Sequence, residues 1–109
     1  MVAEVEDHKQ EIAELCRRFK VRRLDLFGSA AKGGFRPLSS DLDFIVLFLQ
    51  PGERGYARRY YNLAQALENL FQRPVDLLTE PMIRNPYFRE EVEKTRQTIY
   101  EHRGEEATI

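Results

Sequence analysis

The sequence is poor in cysteine. Cys16 is the only one among 109 residues, which excludes an intramolecular disulfide and a thiolate metal site. That fits a reducing cytoplasm, where the chain is expected to reside. Charge of one sign is not in excess: 17 basic residues against 18 acidic ones leave a net charge of -1. With a pI of about 6.1, no broad basic surface is available to hold nucleic acid, so no direct nucleic-acid partner is expected. Long apolar runs are lacking too. The longest, Phe44 to Leu49, is strand-sized, and Met1 leads into a charged, helical-looking stretch rather than a signal-peptide core. No membrane association is expected. There is no internal repeat and no low-complexity segment. A length of 109 residues suits one core, so a single domain over 1–109 is expected, with 104–109 as a frayed tail.

What is present is a glycine-serine turn joined to paired carboxylates. Leu26-Phe27-Gly28-Ser29-Ala30-Ala31-Lys32 is followed by Ser40-Asp41-Leu42-Asp43-Phe44-Ile45-Val46. Residues two apart on a strand project from one face, so Asp41 and Asp43 lie side by side. At about 4 Å their repulsion is on the order of 4 kcal/mol with an effective dielectric near 20. A cation would offset it. Oxygen-only ligands point to a hard ion, Mg²⁺ or Mn²⁺, and a hard metal beside a Gly-Ser turn suggests a nucleoside triphosphate.

The rest of the chain reads as alternating helices and strands. Val2 to Lys20 is an amphipathic helix with Val5, Ile12, Leu15, Cys16 and Phe19 on one stripe and His8 as a solvated residue. Val21 to Phe27 is a short strand on which Asp25 is expected at the surface or an edge, without a chemical role. Gly28 breaks that strand and lets another group approach the backbone. Ser29 suits the N-cap of a short helical turn that Gly33-Gly34 stops, and a helix start is an anion site. An ordinary capped turn is the bland alternative, and no Gly-Lys-Ser/Thr follows to make a Walker A loop. Phe35 to Ser40 is a loop containing Pro37. Asp41 to Leu49 is the central strand, apolar on both faces and expected to be buried on both, with Asp43 inside it.

Gln50 to Gly55 is a turn, and Tyr56 to Phe71 is a second amphipathic helix with Tyr60, Leu63, Ala64, Leu67, Leu70 and Phe71 as its buried stripe. Arg54, Arg58 and Arg59 near its start are expected to face solvent, with a partner or a phosphate as the alternatives. Pro74 to Thr79 is a further strand, with Asp76 among Val75, Leu77 and Leu78. Strand, helix, strand makes a parallel pair, and parallel strands begin at the same edge of a sheet. If the two are neighbours, Asp41, Asp43 and Asp76 converge; register and facing stay open. After a helical turn over Glu80 to Arg84, Asn85-Pro86 reads as the N-cap and first residue of a third helix running to about Arg103. Phe88, Val92, Ile99 and Tyr100 would be its core face, and His102 its last turn.

The ordered set Phe27-Gly28-Ser29, Asp41-Leu42-Asp43-Phe44 and Val75-Asp76-Leu77 resembles the DNA polymerase β-type nucleotidyltransferase superfamily. The short length, Arg73 to Glu80 and Asn85-Pro86-Tyr87 resemble its minimal branch, the MNT or MntA-like domain. The resemblance covers about Val21 to Tyr100. Eleven residues separate Ser29 from Asp41, one more than the usual spacing, and Lys32 stands where an arginine is common.

The resemblance implies an α/β fold: a small mixed sheet with helices mainly on one face. It implies that Gly28 and Ser29 bind the outer phosphates of ATP, that Lys32 contacts phosphate, and that Asp41 and Asp43 hold Mg²⁺ or Mn²⁺. Asp76 would share a metal and help deprotonate the attacking hydroxyl. It further implies an antitoxin that transfers AMP to a tyrosine of a HEPN-domain RNase toxin, as a homodimer or a hetero-oligomer with that toxin. Three alternatives stand beside it: an antitoxin acting by binding alone, a small-molecule nucleotidyltransferase, and a regulatory nucleotide-binding module.

Overall fold

The computed structural model describes residues 3–28, 31 and 41–102. Two short helices lead, α1 (Ala3–Asp7) and α2 (Lys9–Arg18), followed by strands β1 (Val21–Phe27) and β2 (Leu42–Phe48). Helix α3 (Tyr56–Phe71) leads into β3 (Val75–Leu78). A 3₁₀ turn (Glu80–Met82), helix α4 (Pro86–Thr95) and strand β4 (Gln97–Glu101) complete the order. The sheet order is β3-β2-β1-β4. The β2–β3 pair is parallel; β1 is antiparallel to both β2 and β4. The result is a mixed α/β fold.

The alternation within the strands decides what each sheet face meets. Leu24 and Leu26 on β1 and Leu42, Phe44, Val46 and Phe48 on β2 face the first helices and α3. There they pack with Val5, Ile12, Cys16, Leu63, Leu67 and Phe71 in the main core. Burial within it pushes the Cys16 thiol up to about 12, a pKa that keeps it protonated and unreactive. On the other face Phe27, Ile45, Ile83 and Val92 form a small second cluster under α4. Most helical mass lies on the first face; α4 partly covers the second.

Local signals set the boundaries. Asn85 caps α4: its Oδ1 accepts from the Tyr87 N–H at 2.8 Å and the Phe88 N–H at 3.1 Å, with Pro86 as first helical residue. The crossover is pinned at its return, where the Glu68 carboxylate on α3 accepts the Val75 N–H at 3.1 Å. The Tyr60 hydroxyl donates to the Leu77 carbonyl on β3.

Several expectations are corrected. The first helix breaks at His8, whose ring is half-buried and meets Phe71 edge-on at 5.4 Å rather than standing in solvent. The third helix stops at Thr95. The residues expected to be its last turns, Gln97–Glu101, form β4, with Ile99 and Tyr100 half-buried against the main core. His102 follows that strand and donates its N–H to the Arg22 carbonyl at 2.7 Å. Phe88 is 41 % exposed, and on the central strand Leu47 is 43 % exposed. Asp25 is 1 % exposed, on an interior strand rather than at an edge. Arg59 does not point to water. Its guanidinium donates to the carbonyls of Phe19, Lys20, Leu49 and Gln50 and stacks on Phe48 at 5.0 Å. The expectations for Met1 and Val2, Ser29, Ala30, Lys32, the Gly33-Gly34 stop, the Pro37 loop, Arg103 and the 104–109 tail lie outside the described residues.

Candidate active site

The parallel pair fixes the acidic residues. Asp43 and Asp76 are partners in the β2–β3 register, so both side chains leave the same face of the sheet. That is the face carrying Phe27, Ile45 and α4. Asp43 is half-buried and Asp76 exposed; Asp41, two residues before Asp43, is exposed at the entrance to β2. Burial pushes the Asp43 carboxyl up from 3.8 to about 6. The negative charges of Asp76 and Asp41 add to that rise, as does a hydrogen bond between the Asp43 and Asp76 carboxyls. Among the described residues, no three His, Cys, Asp or Glu side chains already form a ligand set for a metal ion. The donors are nevertheless of the hard type that Mg²⁺ or Mn²⁺ takes, and a cation would offset the repulsion within this pair.

Gly28 stands behind Asp43. Its φ is +78°, and a Cβ added there would lie 2.6 Å from Asp43 Oδ2. Only glycine permits both the left-handed turn and the close approach of the carboxylate. Its N–H is not free for a ligand: it donates to Thr95 Oγ1 on α4 at 3.0 Å. A cleft of about 230 Å³ opens beside these groups, lined by Phe27, Gly28, Asp43, Phe88, Glu91, Val92 and Thr95. Thus Gly28, Asp43 and Asp76 come together, Asp41 acts on Asp43 through its charge, and Ser29 and Lys32 lie outside the described residues. Phe88, Glu91 and Thr95 line the cleft beside the acidic pair. They reach the site because α4 crosses the second face of the sheet, and no motif in the sequence marks them.

The sequence profile of the nucleotidyltransferase domain family matches residues 9–99. The chain belongs to that family. Its likeness is to the minimal, MNT-like branch. A solved structure provisionally named a minimal nucleotidyltransferase superposes with a TM-score of 0.68 at 32% identity, covering 89% of this chain and 95% of that one. A Methanocaldococcus jannaschii protein, provisionally named a protein adenylyltransferase, is 33% identical over 92 residues, 77% of this chain and 90% of its own length. A more distant likeness, 19% identical with a TM-score of 0.59 over 94% of this chain and 77% of that one, shares the fold. That structure holds a tri-AMPylated Shewanella oneidensis HEPN toxin in complex with an MNT antitoxin. In this nucleotidyltransferase no helix among the described residues is long and apolar enough to cross a membrane.

Proposed function

We propose that this nucleotidyltransferase moves AMP from ATP to a tyrosine hydroxyl of a HEPN-domain RNase toxin in the cytoplasm, and so acts as its antitoxin. The observation that carries the reading is the register match of Asp43 with Asp76, with the Gly28 turn set against Asp43. The protein-adenylyltransferase name of the relative and the tri-AMPylated toxin held by the distant fold neighbour support the choice of acceptor.

In the reaction the acceptor oxygen attacks the α-phosphorus, a new P–O bond forms, and the bond to the β-phosphate oxygen breaks to release pyrophosphate. Asp41, Asp43 and Asp76 would hold the divalent cations. When bound, these ions neutralise charge on the phosphates and stabilise the attacking and leaving oxygens. Asp76, the exposed member of the contacting pair, is the acceptor-side carboxylate and helps take the hydroxyl proton. Gly28 contributes room rather than a donor, since its own N–H is engaged by Thr95. Phosphate donors are assigned to Ser29 and Lys32. The remaining catalytic contribution is positioning.

The test is incubation with α-labelled ATP, Mg²⁺ and a HEPN-domain toxin. Label on a toxin tyrosine, lost in Asp41→Asn and Asp43→Asn variants, is the expected result. Undiminished neutralisation by those variants without label would replace transfer with binding alone.

A further inference from the structure

We propose that Thr95 is a positioning residue for the nucleotide turn, holding Gly28 in the conformation that ATP meets. The inference rests on the nucleotide-binding reading of that turn. The bond between them joins positions 67 residues apart and is the described tie from α4 to the turn's own backbone. Its polarity is fixed at both ends. The Thr95 hydroxyl accepts from the Gly28 N–H at 3.0 Å. Its own proton goes back into the helix, to the Glu91 carbonyl at 3.1 Å, with the Val92 carbonyl at 3.4 Å. The threonine oxygen is therefore a directed acceptor rather than a freely turning rotor.

The base of this bond is anchored as well. Arg96, the next residue, leaves the helix with extended backbone. It donates to Asp25 Oδ2 at 2.8 Å, to Glu80 Oε2 at 2.6 Å and to Glu93 Oε2 at 2.5 Å. Asp25 belongs to β1, the strand that ends at Phe27, so the fork of Arg96 fixes the end of α4 against the strand that delivers Gly28. Glu80 follows β3, the strand that carries Asp76. One residue holds the helix end in place and its neighbour holds the turn. Without the hydroxyl, the Gly28 N–H loses its partner, the turn is held less tightly, and ATP has to order it on binding, which weakens affinity.

The experiment compares the full-length wild type with Thr95→Val, which keeps shape and loses the acceptor, and with Thr95→Ser, which restores it. ATP affinity is measured by calorimetric titration in Mg²⁺, and exchange of the Gly28 amide by NMR. Thr95→Val is expected to bind ATP about fivefold more weakly and to exchange the Gly28 amide about fivefold faster, the size of one ordinary hydrogen bond. Thr95→Ser is expected within twofold of wild type in both. Equal ATP affinity in wild type and Thr95→Val overturns the proposal, as does Thr95→Ser binding no better than Thr95→Val. A wild type that binds no ATP sinks the nucleotide reading instead. Gly28 exchange then still decides the tether, which falls if Thr95→Val leaves it unchanged.

Discussion

Asp43 and Asp76 occupy one register position on the parallel strands β2 and β3, and their carboxyls leave the same face of the sheet. The folded chain binds a proton there that the unfolded chain releases earlier, because the folded pKa of Asp43 is about 6 against 3.8. A raised folded pKa gives a contribution that is fully present below about pH 4 and lost as pH rises through about 6. Without added metal, the melting temperature should therefore fall across that interval. Mg²⁺ or Mn²⁺ should raise it at pH 7.5 and have little effect at pH 5. In Asp43→Asn the metal-free protein should melt higher at pH 7.5 than wild type, and the increment from metal should vanish. Calorimetry across pH checks all of these; a metal-independent melting profile in the wild type would contradict the divalent-ion assignment.

Acid should reveal the opposite behaviour at Asp25 and Glu80. Burial raises the Asp25 carboxyl, but hydrogen bonds from Arg23, Thr98 and Arg96 outweigh it, and the result lies below the usual value. Glu80 is likewise lowered: burial raises it, and bonds from Arg96 and Arg89 prevail. A lowered folded pKa gives stability that is present above the unfolded value and lost as pH falls through the folded one. Unfolding by acid should set in below about pH 4, and Asp25→Asn should shift that onset upward in a circular-dichroism pH titration.

Arg96 should be the costliest single ionic residue to remove. Arg96→Met leaves Asp25, 1 % exposed, with Arg23 as its remaining ion-pair partner, whose own side chain is 42 % exposed. Breaking one side of such a buried pair costs about 3–5 kcal/mol. Urea unfolding should show a loss of that order. Arg96→Lys should recover less than half, since an ammonium lacks the fork that meets Asp25, Glu80 and Glu93 together.

Gly28→Ala should separate activity from stability. The positive φ costs about 1–2 kcal/mol for a residue with a Cβ. The new methyl also displaces the Asp43 carboxylate, whose Oδ2 it would meet at 2.6 Å. AMP transfer should fall by about a hundredfold or more, the scale of a misplaced reacting group, while the protein still folds. A transfer assay beside a thermal melt reads both.

Arg59→Met should destabilise by about 2 kcal/mol, because the carbonyls of Phe19, Lys20, Leu49 and Gln50 lose their common donor. Lysine should rescue it only in part, and urea unfolding of both variants checks the order.

Much of the site was legible because it is written locally. Asp43 stands inside an apolar strand, and strand–helix–strand spacing points to β2 and β3 being parallel; that they are neighbours and that Asp43 meets Asp76 in register is supplied by the structure. What was missed depends on distant partners. Asp25 looked like a surface residue because its neutralising fork, Arg96, lies 71 residues away. Strand β4 was read as helix because Val92, Ile99 and Tyr100 repeat at seven and eight residues, a helical spacing. The contrary signal was the run Thr98-Ile99-Tyr100, of strand-favouring types, just after an arginine that ends the helix. Arg59 carried no signal, since its four acceptors are backbone atoms.

Strand β1 takes its two neighbours from Leu42–Phe48 and from Gln97–Glu101. On the ribosome, β1 can pair with β2 early but must wait for β4 before its other edge is covered. Until then Asp25 has no Arg96 to meet, and the sheet has an open side where β4 belongs. A nascent chain of this protein should complete its sheet in one event once Gln97–Glu101 has emerged, not progressively strand by strand.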